Sequence, residues 1–369
     1  MRRGGAAPRG RAEAWGYAEG ERVCESGVGS VMLARMRILV LGGTVFLGRA
    51  VAAHALAAGH DVTCVARGVS GGVPEGARLV TADRDAPDGL AGLDGPFDAV
   101  IDVARRPSHV RHAVSALRDR AAHWVYVSSC SVYADQSAPG ERAADAPLLD
   151  PLPLETDDAT GPNYGPAKVA CEKALVDGVG ADRAMLCRAG LIVGPEDTTN
   201  RFDYWVSRLA DGGEILAPGS PDDLVQWVDV RDLAAWLVQA AERRLAGPYD
   251  GIGAPVTRAE FFAGVAAGVG VTLELTWVDQ DFLAAEGVEP WMGERSLPMW
   301  LPLPEYAGFM ARDVSGALAA GLSPRPLADT ARDTLAWLAT APERKPWAGI
   351  TRADESALLA HWHDAHGGS

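Results

Sequence analysis

One stretch constrains the fold of this chain more than any other. The apolar run Ile38-Leu39-Val40-Leu41 is followed by Gly42-Gly43-Thr44-Val45-Phe46-Leu47-Gly48. An Ala-rich helical stretch then runs from Arg49 to Ala58, closed by Gly59, and a second apolar run, Val62 to Ala66, follows at once. Strand, glycine turn, helix and strand in that spacing form one βαβ unit, in which two parallel strands are joined by a crossover helix. The alternation continues through Ala77-Arg78-Leu79-Val80, Asp98 to Val103, a helix around His109 to Leu117, and Trp124 to Ser128. It ends with a helix around Pro166 to Val176 and the run Ala184 to Val193. Short apolar strands separated by helices predict an α/β fold, a doubly wound parallel sheet of the Rossmann type.

The chain divides by texture. Residues 1–35 are rich in Gly, Ala, Arg and Glu without helical or strand periodicity, so ordering them would bury little, and a disordered extension is expected. Met32 and Met36 stand just before the first strand as alternative start positions. Residues 36–195 are read as the dinucleotide-binding part. From 196 to 369 the chain is read mainly as a smaller substrate lobe, with about 220–245 returning to the first part. Its Trp- and Pro-rich segment from Pro290 to Pro302 cannot form a long helix, because proline blocks helix continuation.

Composition excludes several classes. The first 37 residues hold seven Arg and four Glu, net +3, so the total of −15 leaves −18 on the remainder. That charge opposes nucleic acid and anionic membrane surfaces, both of which need clustered Lys and Arg. The five cysteines, at 24, 64, 130, 171 and 187, are odd in number and widely spaced, which suits neither a disulfide framework nor a zinc site. Reduced thiols and a cytoplasmic protein are expected, and no apolar run reaches the roughly 18 residues that span a bilayer.

The glycine turn is the first functional signal. Between a strand and a helix, glycines let backbone N–H groups approach a pyrophosphate at the helix N-terminus. Gly42, Thr44, Val45, Phe46, Leu47 and Gly48 are therefore candidate cofactor contacts. Val45 occupies the place of the usual middle glycine and requires a negative φ there. The second strand ends Val65-Ala66-Arg67 with no acid to bond a ribose 2′-hydroxyl, whereas Arg accommodates a 2′-phosphate. NADP is accordingly preferred over NAD. Asp83 can meet the adenine amino group or be a simple turn residue, and Ala104, after the fourth strand, completes the cofactor set.

Two further segments carry the chemistry: Val125-Tyr126-Val127-Ser128-Ser129-Cys130-Ser131-Val132-Tyr133 and Tyr164-Gly165-Pro166-Ala167-Lys168. Tyr164 and Lys168 are four apart, so on a helix both project from one face. An ammonium beside a phenol favours phenolate, which suits Tyr164 as general acid or base. With the glycine turn, these segments resemble the extended short-chain dehydrogenase/reductase superfamily, in its epimerase/dehydratase-like branch. The resemblance runs from about Arg37 to Leu237 and includes Arg188 to Pro195 and Trp227 to Leu233. It implies that Ser129, rather than Ser128 or Ser131, bonds the reacting oxygen, that Lys168 also holds the nicotinamide ribose, and that a helix-mediated homodimer forms.

Departures from that family narrow the reading. Sugar-nucleotide dehydratases carry Thr-Asp-Glu where this chain has Ser129-Cys130-Ser131, so dehydration is not expected. Nucleotide-sugar epimerases carry an Arg for the substrate diphosphate two residues before the position of Trp227. Val225 stands there, and Arg201, Arg208 and Arg231 are possible substitutes. The turn without its middle glycine also resembles the atypical group that includes chloroplast stem-loop RNA-binding proteins. The acidic body and the retention of Ser129, Tyr164 and Lys168 oppose an RNA-associated role.

Smaller signals are read as structural. His361, His363 and His366 suit a solvated helix end better than a metal site, and no metal is expected. Cys130 suits a small buried thiol. Trp205, Trp277, Trp291 and Trp300 suit packing; any that lined the cleft would favour an apolar or aromatic substrate. The resulting expectation is an NAD(P)-dependent oxidoreductase acting on a small-molecule carbonyl or alcohol, with an NAD-dependent sugar-nucleotide epimerase as the alternative.

Overall fold

The computed structural model describes residues 35–341 and 348–366. Apart from Arg35, the expected disordered extension lies outside the described residues. Seven strands form one parallel sheet: β1 (Arg37–Leu41), β2 (Asp61–Ala66), β3 (Arg78–Thr81), β4 (Phe97–Asp102), β5 (Ala121–Ser129), β6 (Ala184–Ala189) and β7 (Gly247–Gly251). Their order is β7-β6-β5-β4-β1-β2-β3. β6 is buried at every residue, as a strand covered by helices on both faces must be, whereas the edge strand β3 is mostly exposed. Register aligns the carboxyl ends: Leu41 pairs with Val65 and Asp102, and Ser129 with Ala189. Open α/β sheets place their ligands along that edge.

Helices cover both faces. On one face, α1 (Phe46–Ala57) packs with α5 (Val230–Arg243), and Val51, Ala52, Leu233 and Trp236 join Ile38 and Val40 in one core. On the other, α2 (Pro107–Leu117) and α3 (Tyr164–Val179) bury Val110, Val114, Cys171 and Leu175 against Leu39, Val100 and Trp124. The expected run Ala184 to Val193 is broken: after β6, Ile192–Val193 leaves the sheet to pair with Val228–Asp229. β7 was not legible in Gly247-Pro248-Tyr249-Asp250-Gly251. Its Pro is tolerated because the strand lies at the sheet edge.

A second core is built from α4 (Arg201–Ala210), α6 (Arg258–Val269), α7 (Leu327–Leu338), α8 (Arg352–His366) and the paired segments Ile215–Pro218 and Leu275–Val278. Trp205 and Trp300 are buried in it, and the Trp205 indole donates to Pro298 O at 2.8 Å. The segment from Pro290 to Pro302 holds only turns and two short strands, Glu289–Pro290 and Ser296–Leu297.

One buried group makes the fold sensitive to acid. His123 on β5 is 1% exposed, its Nε2 has no partner, and burial pushes its pKa down to about 4. The unfolded chain therefore takes up a proton near pH 6.5 that the native state refuses until about 4. Across that window stability falls as pH falls, by about 3 kcal/mol from this residue. Urea titrations at successive pH values should show a shallower fall for His123→Leu than for the native sequence; parallel curves would remove His123 as the cause.

Candidate active site

Two adjoining cavities open along the carboxyl ends of the strands. The first, about 880 Å³, is lined by Thr44, Arg67, Asp83, Ala104 and the 157–160 loop; the second, about 360 Å³, by Phe46, Leu47, Gly48, Ser129, Tyr164 and Lys168. Gly42 and Val45 line both. The candidate cofactor and catalytic residues chosen from the sequence all line one or the other of these adjoining cavities.

The glycine turn is folded as tightly as its composition allows. A Cβ on Gly48 would lie 2.0 Å from Gly42 O, so no larger residue fits without opening the turn. Val45 takes the extended φ of −136° that its branched side chain requires. The positive φ instead falls on Phe46, at 38°, a strained value for an aromatic residue and one that the sequence did not signal. Val45 is also the N-cap of α1 and supplies no side-chain acceptor. The first turn of α1, at Phe46, Leu47 and Gly48, lines the second cavity without a side-chain cap for its N–H groups.

The walls of the first cavity are held by charge. Arg84 and Asp102 form a buried two-pronged pair at 2.9 and 2.7 Å, and Asp102 Oδ1 also accepts from Ala104 N at 2.9 Å. Arg106 donates to Asp157, whose Oδ1 accepts from Ser108 N at 2.7 Å, which fixes the 157–160 loop. Sequence reasoning missed both pairs. Arg67 is exposed at the end of β2 and makes no ion pair among the described residues. Asp83 lines the cavity, and its Oδ1 accepts from Asp85 N at 3.0 Å, a turn contact.

In the second cavity Tyr164 is the first residue of α3, and Lys168 lies one turn further on. Lys168 is 2% exposed, and Nζ donates to Ala104 O at 2.7 Å, Val127 O at 2.7 Å and Tyr126 Oη at 3.2 Å. All three of its protons are committed, and none goes to Tyr164. Burial holds the Tyr126 phenol well above its ordinary pKa, so it stays neutral and donates to Ala104 O at 3.0 Å. Ser129 Oγ accepts from Ser131 N and donates to Ser131 Oγ, both at 3.1 Å. Ser128 lines the same cavity, and its buried hydroxyl has no partner. An unpaired hydroxyl beside a glycine turn that leaves helix N–H groups free is what a bound polar cofactor would complete.

The structure separates the three arginines offered as anion contacts. Arg208 is buried against Glu355 at 2.6 Å, and Arg231 bonds Asp229 at 2.7 Å and Asp333 at 2.6 Å, so neither is available to a substrate. Arg201 lines the second cavity. Cys130 lies outside both cavities, donates to Arg188 O at 3.3 Å, and is pushed well up in pKa by burial, so it is no nucleophile. His361 and His363 pair with Glu286 and Glu214, and the His366 ring stacks on Trp362.

Comparison with known proteins matches residues 38–251, from β1 to the end of β7, to the NAD dependent epimerase/dehydratase family. The chain belongs to that family. The match takes in the glycine turn, Ser129, Tyr164 and Lys168, and it stops before α6 and most of the second core. Family membership makes the chain an NAD-dependent type of enzyme, in keeping with the cleft. Solved structures share the fold. WbmH of Bordetella bronchiseptica, in complex with NAD+, is 18% identical with a TM-score of 0.57, covering 83% of this chain and 99% of that one. The UDP-glucose 4-epimerase of Thermus thermophilus, in complex with NAD, is 19% identical with a TM-score of 0.58, covering 83% and 100%. The UDP-N-acetylglucosamine 4-epimerase of Bacillus cereus is 16% identical with a TM-score of 0.56, covering 82% and 99%. No curated protein matches the sequence.

Proposed function

We propose that this protein is an NADP-preferring reductase or dehydrogenase acting on a small-molecule carbonyl or alcohol. The observation that carries the reading is one cleft with the glycine turn in its middle, Arg67 at one end, and Tyr164 with Ser129 at the other. The bound dinucleotide would supply or accept a hydride at the carbon of the C–O group. Tyr164 gives the oxygen its proton in reduction and takes it back in oxidation, so each turnover moves one hydride to or from the carbon and one proton to or from the oxygen. Ser129, held by Ser131, orients that oxygen. Lys168 makes no hydrogen bond to Tyr164, and it would reach a ribose hydroxyl only by exchanging one of its three present bonds.

The preference for NADP rests on Arg67 and on the absence of an acid at the end of β2. Arg67 lines the first cavity, is exposed, and makes no ion pair among the described residues, which supports a contact with a 2′-phosphate. A calorimetric titration with NADP and with NAD, on the native sequence and Arg67→Ala, tests this. Tighter NADP binding that falls about ten-fold or more in the variant is expected for one charge-assisted phosphate contact. Equal affinities, or NAD retained through purification, would favour the second reading, an epimerase that oxidises and re-reduces one substrate. The NAD complexes among the structural neighbours favour that alternative. Cys64, Cys130, Cys171 and Cys187 are unpaired and buried, which supports a reducing compartment such as the cytoplasm. Among the described residues no helix is long and apolar enough to cross a membrane.

A further inference from the structure

The second cavity contains a cation that neither the proton relay nor the dinucleotide contacts use. Arg201 is the first residue of α4 and follows Asn200, which takes the left-handed conformation at φ 57°. Its Nε donates to Thr199 Oγ1 at 3.2 Å. Thr199 is itself held by the buried Asp197, whose carboxylate accepts from Thr199 N at 2.8 Å and Thr199 Oγ1 at 2.9 Å. No carboxylate of the described residues lies within ion-pair distance of the Arg201 guanidinium, and its two terminal nitrogens have no hydrogen-bond partner there.

The guanidinium is nevertheless fixed in place. Its carbon lies 4.6 Å from the centre of the Trp291 ring. Trp291 holds φ at 68°, a value that bulky residues adopt only when their surroundings impose it. Its backbone N–H is shared between Leu297 O at 3.2 Å and Trp300 O at 3.1 Å, and its ring packs edge-on against Phe309 at 5.5 Å. A strained, anchored indole therefore supports one face of the cation, and the N–H edge remains for a ligand. Burial pulls the guanidinium below its ordinary pKa, which shows how little solvent compensates it.

We infer that Arg201, backed by Trp291, binds a carboxylate group of the substrate, so that the substrate is a small hydroxy- or oxo-acid. The inference deepens the oxidoreductase reading and rests on it. A planar guanidinium with one face covered offers two parallel N–H groups, which match the two oxygens of a carboxylate. Arg105 and Lys168 line the same cavity with Asp197 as its one carboxylate among the described residues, so an anionic group meets a net positive wall. Size points the same way, because the roughly 360 Å³ cavity must also admit the reactive end of the dinucleotide. Arg105, which lines this cavity too, is exposed and borders the first cavity as well, on the dinucleotide side.

The test uses the full chain loaded with whichever of NADP or NAD binds more tightly, titrated calorimetrically with benzoate and with its neutral isostere benzamide. Benzoate should bind about ten-fold or more tightly than benzamide, as expected for one charge-assisted contact. Arg201→Gln should erase that difference while leaving benzamide and dinucleotide affinities unchanged, and Trp291→Leu should reduce it. Equal binding of the two probes by the native protein, or a benzoate preference that survives Arg201→Gln, would overturn the inference. So would UDP binding more tightly than benzoate and being lost in Arg201→Gln, which would assign the cation to a diphosphate. Failure to bind either dinucleotide would instead remove the oxidoreductase reading itself.

Discussion

Replacing Tyr164 by Phe should lower turnover by about 10²- to 10⁴-fold, the range that a positioned general acid or base contributes. The loss should fall on kcat, with dinucleotide affinity unchanged. Tyr164 heads α3 and lines only the second cavity, away from Arg67 and Asp83, so removing one hydroxyl leaves the first cavity and the glycine turn intact. The measurement is the oxidation of reduced dinucleotide with any carbonyl compound that the native protein turns over, paired with calorimetric titration of the variant. Lys168→Met should also be slow, since Lys168 lines the same cavity and is the residue expected to hold the nicotinamide ribose. That change also removes a buried donor from Val127 O, while Ala104 O keeps Tyr126 Oη, and it is destabilising in a way that Tyr164→Phe is not. A Tyr164→Phe enzyme with full activity would dismiss the proton relay proposed here.

The largest expected loss of stability comes from Asp250→Ala. Asp250, near the end of β7, accepts from Tyr133 Oη at 2.5 Å and from Arg312 Nε at 3.2 Å, and both Asp250 and Arg312 are almost wholly buried. The Arg312 guanidinium lies 3.5 Å from the centre of the Tyr133 ring, and its second terminal nitrogen already lacks a partner. Without Asp250 the cation would keep only Glu141, at 3.3 Å, as a countercharge. Removing one partner of a buried ion pair costs about 3–5 kcal/mol, because the remaining charge is left uncompensated. Tyr133→Phe, which removes one hydroxyl from the same cluster, should cost about 1–3 kcal/mol. Equilibrium unfolding in urea measures both. An Asp250→Ala loss no larger than that of Tyr133→Phe would mean that Arg312 finds another partner or solvent. The cluster sits behind the turn that presents Ser129, since Cys130 donates to Arg188 O and Arg188 bonds Glu172 at 3.1 and 2.9 Å.

What the sequence made legible was local. The strand, glycine turn, helix and strand from Arg37 to Ala66 are contiguous, and their apolar periodicity marks each element without reference to anything distant. Tyr164 and Lys168 were legible for the same reason, because four residues along one helix define a shared face. Pairs that meet only through the fold were not legible. Arg84 follows β3 and Asp102 ends β4, 18 residues further along the chain, and the two meet only through the fold. Arg312 reaches Asp250 from 62 residues away. Arg201 could be named as one of three arginines but not chosen, because the choice depended on Glu355, Asp229 and Asp333 occupying the other two. β7 was hidden by its composition, with two glycines and a proline in five residues. The positive φ at Phe46, beside an extended Val45, left no mark in the sequence.

The central claim is that one dinucleotide lies along the whole cleft, with its reactive end at Tyr164. A crystal structure of the protein with NADP tests it most directly. The account predicts adenosine between Arg67 and Asp83, the pyrophosphate at the N-terminus of α1 beside Gly42 and Gly48, and the nicotinamide ring against Tyr164 and Ser129. A dinucleotide bound with its nicotinamide away from Tyr164, or seated outside the two cavities, would contradict it.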